Sequence, residues 1–261
     1  MILTDTHTHL YLTEFEEDRD KVIRRAGEQN VKKMLLPNID KTTIEDLNSV
    51  CDTYPEKCFP MMGLHPSSVG QDYKKDLDTI YKQFDKRKYF AVGEIGIDLY
   101  WDKTYEAQQK EAFRTQIRWA IKKKLPIVIH ARDSFDEIFE VVDQENCEEL
   151  RGVFHCFTGS FEQARKALSY GGFFLGLGGV LTFKNSKLDR VVNDIKIENL
   201  ILETDSPYLA PTPHRGKRNE SAYVSLVADK LAEIKNMPKE EVAKITTNNA
   251  EKLFKIPVEW T

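Results

Sequence analysis

The chain has 261 residues, of which 41% are hydrophobic and 31% are charged, a composition typical of one soluble globular domain with a sizeable core. A net charge of −4 argues against a broad basic face that binds duplex nucleic acid, although it allows local contacts to a few phosphates. No apolar run approaches the ~20 residues that a membrane span needs, and no signal-peptide pattern opens the sequence. Four cysteines without a CxxC spacing predict reduced thiols and a cytoplasmic location.

Apolar segments alternate with helix-like segments along the whole chain. Their near-continuous apolar character predicts strands that are covered on both faces. The predicted strands are residues 2–6, 32–37, 58–64, 89–95, 126–130, 152–156, 173–177 and 199–204. The helices between them open with capping-box patterns at Thr13-x-x-Glu16, Thr42-x-x-Glu45, Ser134-x-x-Glu137 and Ser160-x-x-Gln163. The longest predicted helix spans 105–124, and two helices at 220–235 and 239–254 end the chain.

This alternation predicts an α/β fold with a parallel sheet. Eight units in a chain of this length predict a (β/α)8 TIM barrel that forms a single domain over residues 1–261. An open doubly wound sheet is the alternative. It would place its site at one switch crevice, whereas the candidate residues below are spread over six strands.

Histidines and acids stand at or near the carboxyl ends of six predicted strands, which is where barrel enzymes have their active sites. They are His7, His9, His65, Glu94, His130, His155 and Asp205. Imidazole is costly to bury and useful at a metal, so the repeated placement indicates a metal centre.

The spacing of these residues suggests which of them share an ion. His7 and His9 are two apart on a strand and can reach one cation together. Asp205 lies on strand 8, beside strand 1 once the barrel closes, and can bind the same ion and accept a proton from water. His130 and His155 lie at matching heights on neighbouring strands. Glu94, between the two groups in barrel order, is the candidate bridge because its two oxygens can contact two cations.

Two further acids are predicted to support this centre. Asp5, on the same face as His7 and His9, is expected to contact the imidazoles or to be a buried structural carboxylate. Glu203 is read as structural, holding Arg218, and not as a metal ligand. Nitrogen and oxygen ligands without a thiolate suit two divalent ions of zinc, manganese, cobalt, nickel or, with waters, magnesium.

The motifs together closely resemble those of the TatD family of metal-dependent deoxyribonucleases, among the amidohydrolase-like barrels. The resemblance runs from the first residue to the last helix, with Ser221 where the family usually has proline. The matching stretches are Asp5-Thr-His-Thr-His-Leu10, Gly63-Leu-His-Pro66, Gly93-Glu-Ile-Gly-Ile-Asp98, His130-Ala-Arg-Asp133, His155-Cys-Phe-Thr-Gly159, Glu203-Thr-Asp-Ser-Pro-Tyr-Leu-Ala-Pro211 and Arg215-Gly-Lys-Arg-Asn-Glu220.

The resemblance implies hydrolysis of DNA phosphodiester bonds, from the 3′ end of a single strand, with Asp205 as general base and Glu94 as the second catalytic residue. It implies one metal at His7, His9, Glu94 and Asp205, and a second at Glu94, His130 and His155. It also implies a substrate-side role for His65 and contact of Arg132 with the scissile phosphate, with a salt bridge to Asp133 or Glu94 as the rival reading for Arg132. Arg215 and Arg218 lie in one basic loop, where they either contact phosphate or anchor the loop to the rest of the protein.

Two other functions fit the same residues. An amidase, lactonase, phosphotriesterase or aminoacyl-tRNA deacylase could use the same dinuclear site. Many such relatives bridge their metals with a carbamylated lysine at the end of strand 4, where this chain has Glu94; its nearby lysines, Lys122–Lys124, lie before strand 5. A non-enzymatic barrel that keeps metals for stability is the third possibility. DNA is the expected substrate partner, and the residues indicate neither a membrane nor an obligate protein partner.

Overall fold

The computed structural model describes residues 1–256, in which strands and helices alternate. The strands are β1 (Leu3–Asp5), β2 (Val31–Pro37), β3 (Cys58–Met61), β4 (Val92–Asp98), β5 (Ile127–Arg132), β6 (Gly152–Phe154), β7 (Phe173–Leu177) and β8 (Leu200–Leu202). The helices are α1 (Arg19–Glu28), α2 (Ile44–Thr53), α3 (Tyr73–Tyr81), α4 (Glu106–Lys123), α5 (Phe135–Glu145), α6 (Phe161–Ser169), α7 (Leu188–Asn193), α8 (Val224–Lys235) and α9 (Lys239–Phe254).

Backbone hydrogen bonds close the strands into a barrel. Neighbouring strands pair in parallel from β1 to β3 and from β4 to β8. Between β3 and β4, Met62 N donates to Ala91 O and Gly93 N donates to Met62 O, both at 3.1 Å. Between β8 and β1, Thr6 N donates to Leu202 O at 3.1 Å. The predicted (β/α)8 barrel is therefore confirmed, and the open sheet is excluded.

Both faces of the strands are buried, as their continuous apolar runs predicted. In β5, Val128 packs into one apolar cluster with Leu35 and Ile201, whereas Ile127 and Ile129 pack into the other, larger cluster. Because successive side chains of a strand point to opposite faces, one cluster fills the barrel and the other joins the strands to the helices. Because both faces of the strands are buried, the strands are held in fixed positions, and so are the site side chains at their carboxyl ends.

The predicted position of β4 is wrong by three residues, and this changes which residue ends the strand. The apolar residues from 89 onward suggested an early start, but the strand begins at Val92 and continues to Asp98. Gly96, with φ of 144°, allows β4 to approach β5, since a Cβ there would lie 2.0 Å from His130 O. Asp98, not Glu94, is therefore the last residue of β4.

Only one of the four predicted capping boxes forms. Ser160 caps α6 with the reciprocal hydrogen bonds of a capping box. Thr13 is the first residue of a 3-10 turn, and Thr42 precedes the residue that caps α2, so neither hydroxyl serves as an N-cap. The Ser134 hydroxyl donates instead to Ile97 O at 2.6 Å, which ties the start of α5 to β4.

The last two helices agree with the predicted pair, except that α8 begins at Val224 because a 3-10 turn occupies Ser221–Tyr223. The predicted domain of 1–261 extends beyond the described residues, which end at 256. Across those 256 residues, none of the helices has both the length and the apolar character that crossing a bilayer requires.

Candidate metal centre

Side chains that follow β1 and β8 converge with Glu94 of β4 at the carboxyl end of the barrel. His7 Nε2 lies 3.3 Å from His9 Nε2 and 3.2 Å from Glu94 Oε2. Asp205 Oδ1 lies 3.7 Å from His7 Nε2 and 3.6 Å from His9 Nε2. Four atoms placed 2.0–2.2 Å from a tetrahedral zinc ion are roughly 3.4 Å apart. The spacing of these four donor atoms therefore fits a single divalent cation.

A second group of donor atoms surrounds the other oxygen of Glu94. Glu94 Oε1 lies 2.8 Å from His130 Nδ1, 3.3 Å from His155 Nε2 and 3.5 Å from His65 Nε2. His65 Nε2 is also 3.3 Å from His130 Nδ1. His65, which the sequence placed on the substrate side, thus stands among the candidate ligands of this group.

Glu94 joins the two groups because its two oxygens face different histidines. The side chain is 3% exposed. Burial opposes ionisation, but the neighbouring His155, His65 and His7 outweigh it and hold the pKa of Glu94 well below its usual value. Glu94 is therefore a carboxylate with acceptor oxygens on both sides, as a metal bridge requires.

A tyrosine that sequence reasoning missed orients His9. The Tyr11 hydroxyl donates to Pro37 O at 2.6 Å and lies 2.9 Å from His9 Nδ1. Since its one proton is used on the carbonyl, the hydroxyl accepts from His9 Nδ1–H. His9 Nε2 is then left with a lone pair that faces Glu94 and Asp205, which suits a metal ligand.

A carboxylate lies beside each of two histidines of the second group, on the side of the ring away from Glu94. Asp98 Oδ2 lies 2.9 Å from His130 Nε2, and Glu203 Oε1 lies 2.9 Å from His155 Nδ1. Burial alone would lower both histidine pKa values, but the carboxylates outweigh it. The pKa is raised to about 9 for His130 by Asp98 and Glu94, and to about 10 for His155 by Glu203 and Glu94.

Asp98 had a usable sequence signal, because it stands four residues after Glu94 and the intervening run is strand-like. The predicted contact of Glu203 with Arg218 is wrong. The Glu203 carboxylate accepts from Cys156 N at 2.6 Å and faces His155. His7, His155 and Glu203 also lie within 4.8 Å of one another, but Glu203 faces the ring nitrogen of His155 opposite to Glu94, which is a supporting position.

Asp5 does not contact the imidazoles, contrary to one of its two predicted roles. Its carboxyl accepts from Thr204 N at 2.9 Å, from Thr204 Oγ1 at 2.7 Å and from the backbone N of His7 at 3.3 Å. Complete burial raises the pKa of Asp5 to about 7. Asp5 thus joins β1 to the segment that follows β8 and positions His7 through its backbone.

Left-handed backbone conformations occur where three strands give way to site loops. Asp205 has φ of 58°, Cys156 after His155 has φ of 44°, and Asp133 after β5 has φ of 52°. Asp205 N donates to His7 O at 2.9 Å, which holds the unusual turn in place. Such conformations are costly for residues other than glycine and concentrate at functional sites.

Arg132 lies at the end of β5, two residues after His130. Its guanidinium carbon is 3.8 Å from the centre of the Tyr100 ring. Among the described residues it forms no ion pair with Asp133 or Glu94, so this rival interpretation is wrong. Stacking leaves the N–H edges of the guanidinium available.

The two arginines of the loop after β8 have protein partners. Arg218 donates to both carboxylate oxygens of Asp18 at 2.8 Å. The guanidinium of Arg215 lies 4.0 Å from the centre of the Phe183 ring. Of the two predicted roles, loop anchoring therefore describes Arg218.

Comparisons with known proteins identify similar sequences and a similar structure. A family model described as TatD related DNase matches residues 4–255. An uncharacterised metal-dependent hydrolase of Bacillus subtilis, YabD, is 40% identical over 256 residues, which are 98% of this chain and 100% of YabD. The 3′-5′ ssDNA/RNA exonuclease TatD of Erwinia tasmaniensis is 28% identical over 258 residues, covering 97% of this chain and 99% of that protein. The crystal structure of YjjV, a TatD homologue from Escherichia coli, has a TM-score of 0.92 and 28% identity over 98% of both chains.

Proposed function

Since the chain belongs to the TatD family of metal-dependent hydrolases, we propose that it hydrolyses DNA phosphodiester bonds from the 3′ end of a single strand. The observation that carries this proposal is the sharing of Glu94 between two sets of donor atoms. Hydrolysis of a phosphodiester has an attacking oxygen, which comes from water, and a leaving oxygen, which comes from the ester, and a paired metal site can stabilise both.

The donor atoms assign residues to each cation. His7, His9, Glu94 and Asp205 would hold one, and Glu94, His130 and His155 would hold the other, with His65 within reach of the second. When bound, such cations acidify a water molecule and neutralise the charge of the phosphate.

Asp205 is the proposed general base. Burial opposes its ionisation, but His155, His9 and His7 outweigh burial and lower the pKa of Asp205. The carboxylate is thus ionised at neutral pH and can accept a proton from the attacking water. Its side chain is 14% exposed, more than the 3% of Glu94, so it is the acid that a substrate can approach. Arg132, whose N–H edges are free, is the proposed contact to the scissile phosphate. Arg215 is proposed to contact the DNA further from the cleaved bond.

Two observations support a single strand as the substrate. The centre lies among the buried ends of the β-strands. The terminus of single-stranded DNA can enter such a site more easily than a duplex can. The net charge of −4 disfavours a long electrostatic contact with duplex DNA. The Erwinia relative bears the name of an exonuclease of single-stranded DNA and RNA, so RNA is the natural comparison substrate. We also propose a single domain over 1–261 and a reducing, cytoplasmic setting, which suits four free thiols.

The proposal is tested with 5′-labelled single-stranded DNA in a series of magnesium, manganese, zinc, cobalt and nickel. The expected product is a ladder that shortens from the 3′ end. Glu94→Gln and Asp205→Asn should each lower kcat by roughly 10²-fold or more, with the fold checked by circular dichroism. Asp143→Asn, which changes an exposed acid paired with Lys166, is the matched control and should retain activity.

Matched RNA, an aminoacyl-tRNA and a lactone panel separate the alternatives. Turnover of a lactone or an aminoacyl-tRNA without cleavage of any oligonucleotide would replace the nuclease proposal with the esterase alternative. Nuclease activity that survives both substitutions would refute the assigned centre.

A further inference from the structure

Exposed apolar side chains are concentrated around the mouth of the metal centre. Five large apolar side chains of the described residues are exposed, and four of them follow site-bearing strands. Tyr100 and Trp101 come after Asp98, while Tyr208 and Leu209 come after Asp205. Trp101 is 76% exposed, although tryptophan is on average a highly buried residue. Exposed apolar groups beside a polar cleft mark a ligand-binding surface.

Tyr100, Trp101 and Arg132 form what we term the aromatic platform. The Tyr100 and Trp101 rings meet edge to face, with centroids 4.7 Å apart and an interplanar angle of 88°. The Arg132 guanidinium carbon lies 3.8 Å from the centre of the Tyr100 ring and 5.3 Å from that of Trp101. The cation thus holds the Tyr100 ring, while the Trp101 ring remains in solvent.

One carboxylate links the aromatic platform to the metal centre. Asp98 Oδ1 accepts from Tyr100 N at 3.0 Å, and Asp98 Oδ2 lies 2.9 Å from His130 Nε2. Leu99 N also donates to Arg132 O at 3.0 Å, which joins the two strand ends. The platform is therefore held in a defined position, because the same Asp98 side chain contacts both Tyr100 and the candidate metal ligand His130.

We propose that the aromatic platform stacks an unpaired nucleobase of the strand whose phosphodiester lies at the metal centre, an assignment that rests on the proposed function. A base of any identity presents a flat face that stacks on an aromatic ring. Arg132, stacked on Tyr100, can still direct N–H groups at a phosphate. The surface that two exposed rings offer is far smaller than the ~1,200 Å² that a stable protein interface buries. A protein partner is therefore disfavoured. Bases in a duplex are not free to stack here, which gives a physical reason for single-strand preference.

The first test compares an intact single strand with one that is abasic in its 3′-terminal nucleotides. Stacking is worth about 1–3 kcal/mol per base, so the abasic strand should have a KM roughly 5- to 150-fold higher with the unaltered protein. In Trp101→Ala this KM ratio should fall toward one, and Trp101→Tyr should restore most of it. Trp119→Phe changes a tryptophan that packs against Tyr81 on the helical layer, with centroids 5.0 Å apart, and should keep the original ratio.

The second test measures binding without cleavage. A nuclease-resistant phosphorothioate oligonucleotide is titrated into the metal-loaded protein while tryptophan fluorescence is followed. Because the chain has three tryptophans, the titration uses a variant that carries both Trp119→Phe and Trp260→Phe. Stacking should quench the emission of Trp101 in this variant, and Trp101→Phe should show no quenching. A fully paired blunt duplex should quench much less than the single strand.

The outcomes separate this inference from the proposed function. Cleavage of DNA with equal KM for intact and abasic strands, and no quenching, would overturn the platform while leaving the nuclease proposal standing. If the unaltered protein cleaves neither strand, the nuclease proposal is wrong. The fluorescence titration then decides the inference alone: quenching that depends on Trp101 supports it, and its absence overturns it.

Discussion

Glu203 should control metal affinity although it is not a proposed ligand. We predict that Glu203→Gln weakens binding of the cation held by Glu94, His130 and His155, while the other cation binds nearly as before. Glutamine keeps the volume of the side chain and an oxygen that can accept from Cys156 N, which lies 2.6 Å from Glu203 Oε1. The substitution therefore removes the negative charge beside His155 and little else.

The contact distance gives an upper limit for the size of the effect. At the 2.9 Å between Glu203 Oε1 and His155 Nδ1, the carboxylate would attract a protonated His155 by about 6 kcal/mol at an effective dielectric of ~20, and burial of both side chains offsets much of this attraction. Because a histidine that binds a metal is neutral, the effect on metal affinity is smaller than this attraction. A carboxylate that supports a ligating histidine typically contributes 10- to 100-fold in metal affinity, or about 1.4–2.7 kcal/mol. We expect the loss to fall in this range.

Isothermal titration with a chosen divalent cation measures this loss, with a chelator present to resolve tight binding. The matched control is Glu220→Gln, which removes another buried carboxylate, one that pairs with Arg25. The control should lower the melting temperature but change neither metal affinity. Unchanged binding in Glu203→Gln, or an equal loss of affinity in the control, would refute the assigned role.

Three further predictions concern other parts of the molecule. Tyr11→Phe removes the hydroxyl that accepts from His9 Nδ1. In the same titration it should lower the affinity for the cation held by His9 roughly 10- to 100-fold; an unchanged affinity would mean that the hydroxyl does not orient His9. Arg218→Ala breaks the part-buried pair with Asp18 and should lower the free energy of unfolding by about 1 kcal/mol or less. It should not raise KM for single-stranded DNA, and a raised KM would assign Arg218 to phosphate contact. In the presence of EDTA, the pKa of His130 is about 9, above the usual histidine value of 6.5. The contribution of protonated His130 to stability is therefore complete below pH 6.5 and is lost as the pH rises through 9. A melting temperature that is constant over that range would contradict this.

The architecture could be predicted because the signal for it is local and repeated. Runs such as Ile127–Ile129 are short and apolar without alternation, as a strand buried on both faces requires. The end of β4 was misplaced because apolar content cannot show where pairing stops. The chain continues as a strand past Glu94 through Gly96, whose lack of a side chain allows β4 to approach His130 O. The same error concealed Asp98 as the partner of His130.

The role of Glu203 could not be predicted because it depends on a contact with His155, which lies in a distant part of the chain. Glu203 could be paired on charge with Arg218 or with a histidine, and only burial decides between them. Arg218 reaches Asp18 in the solvent-accessible rim, whereas Glu203 is 1% exposed and has His155 beside it. A buried carboxylate needs a cation or donors that are buried with it. The strand ends therefore indicate the candidate ligands from sequence, whereas the carboxylate beside His155 is identified only by which side chains the closed barrel excludes from water.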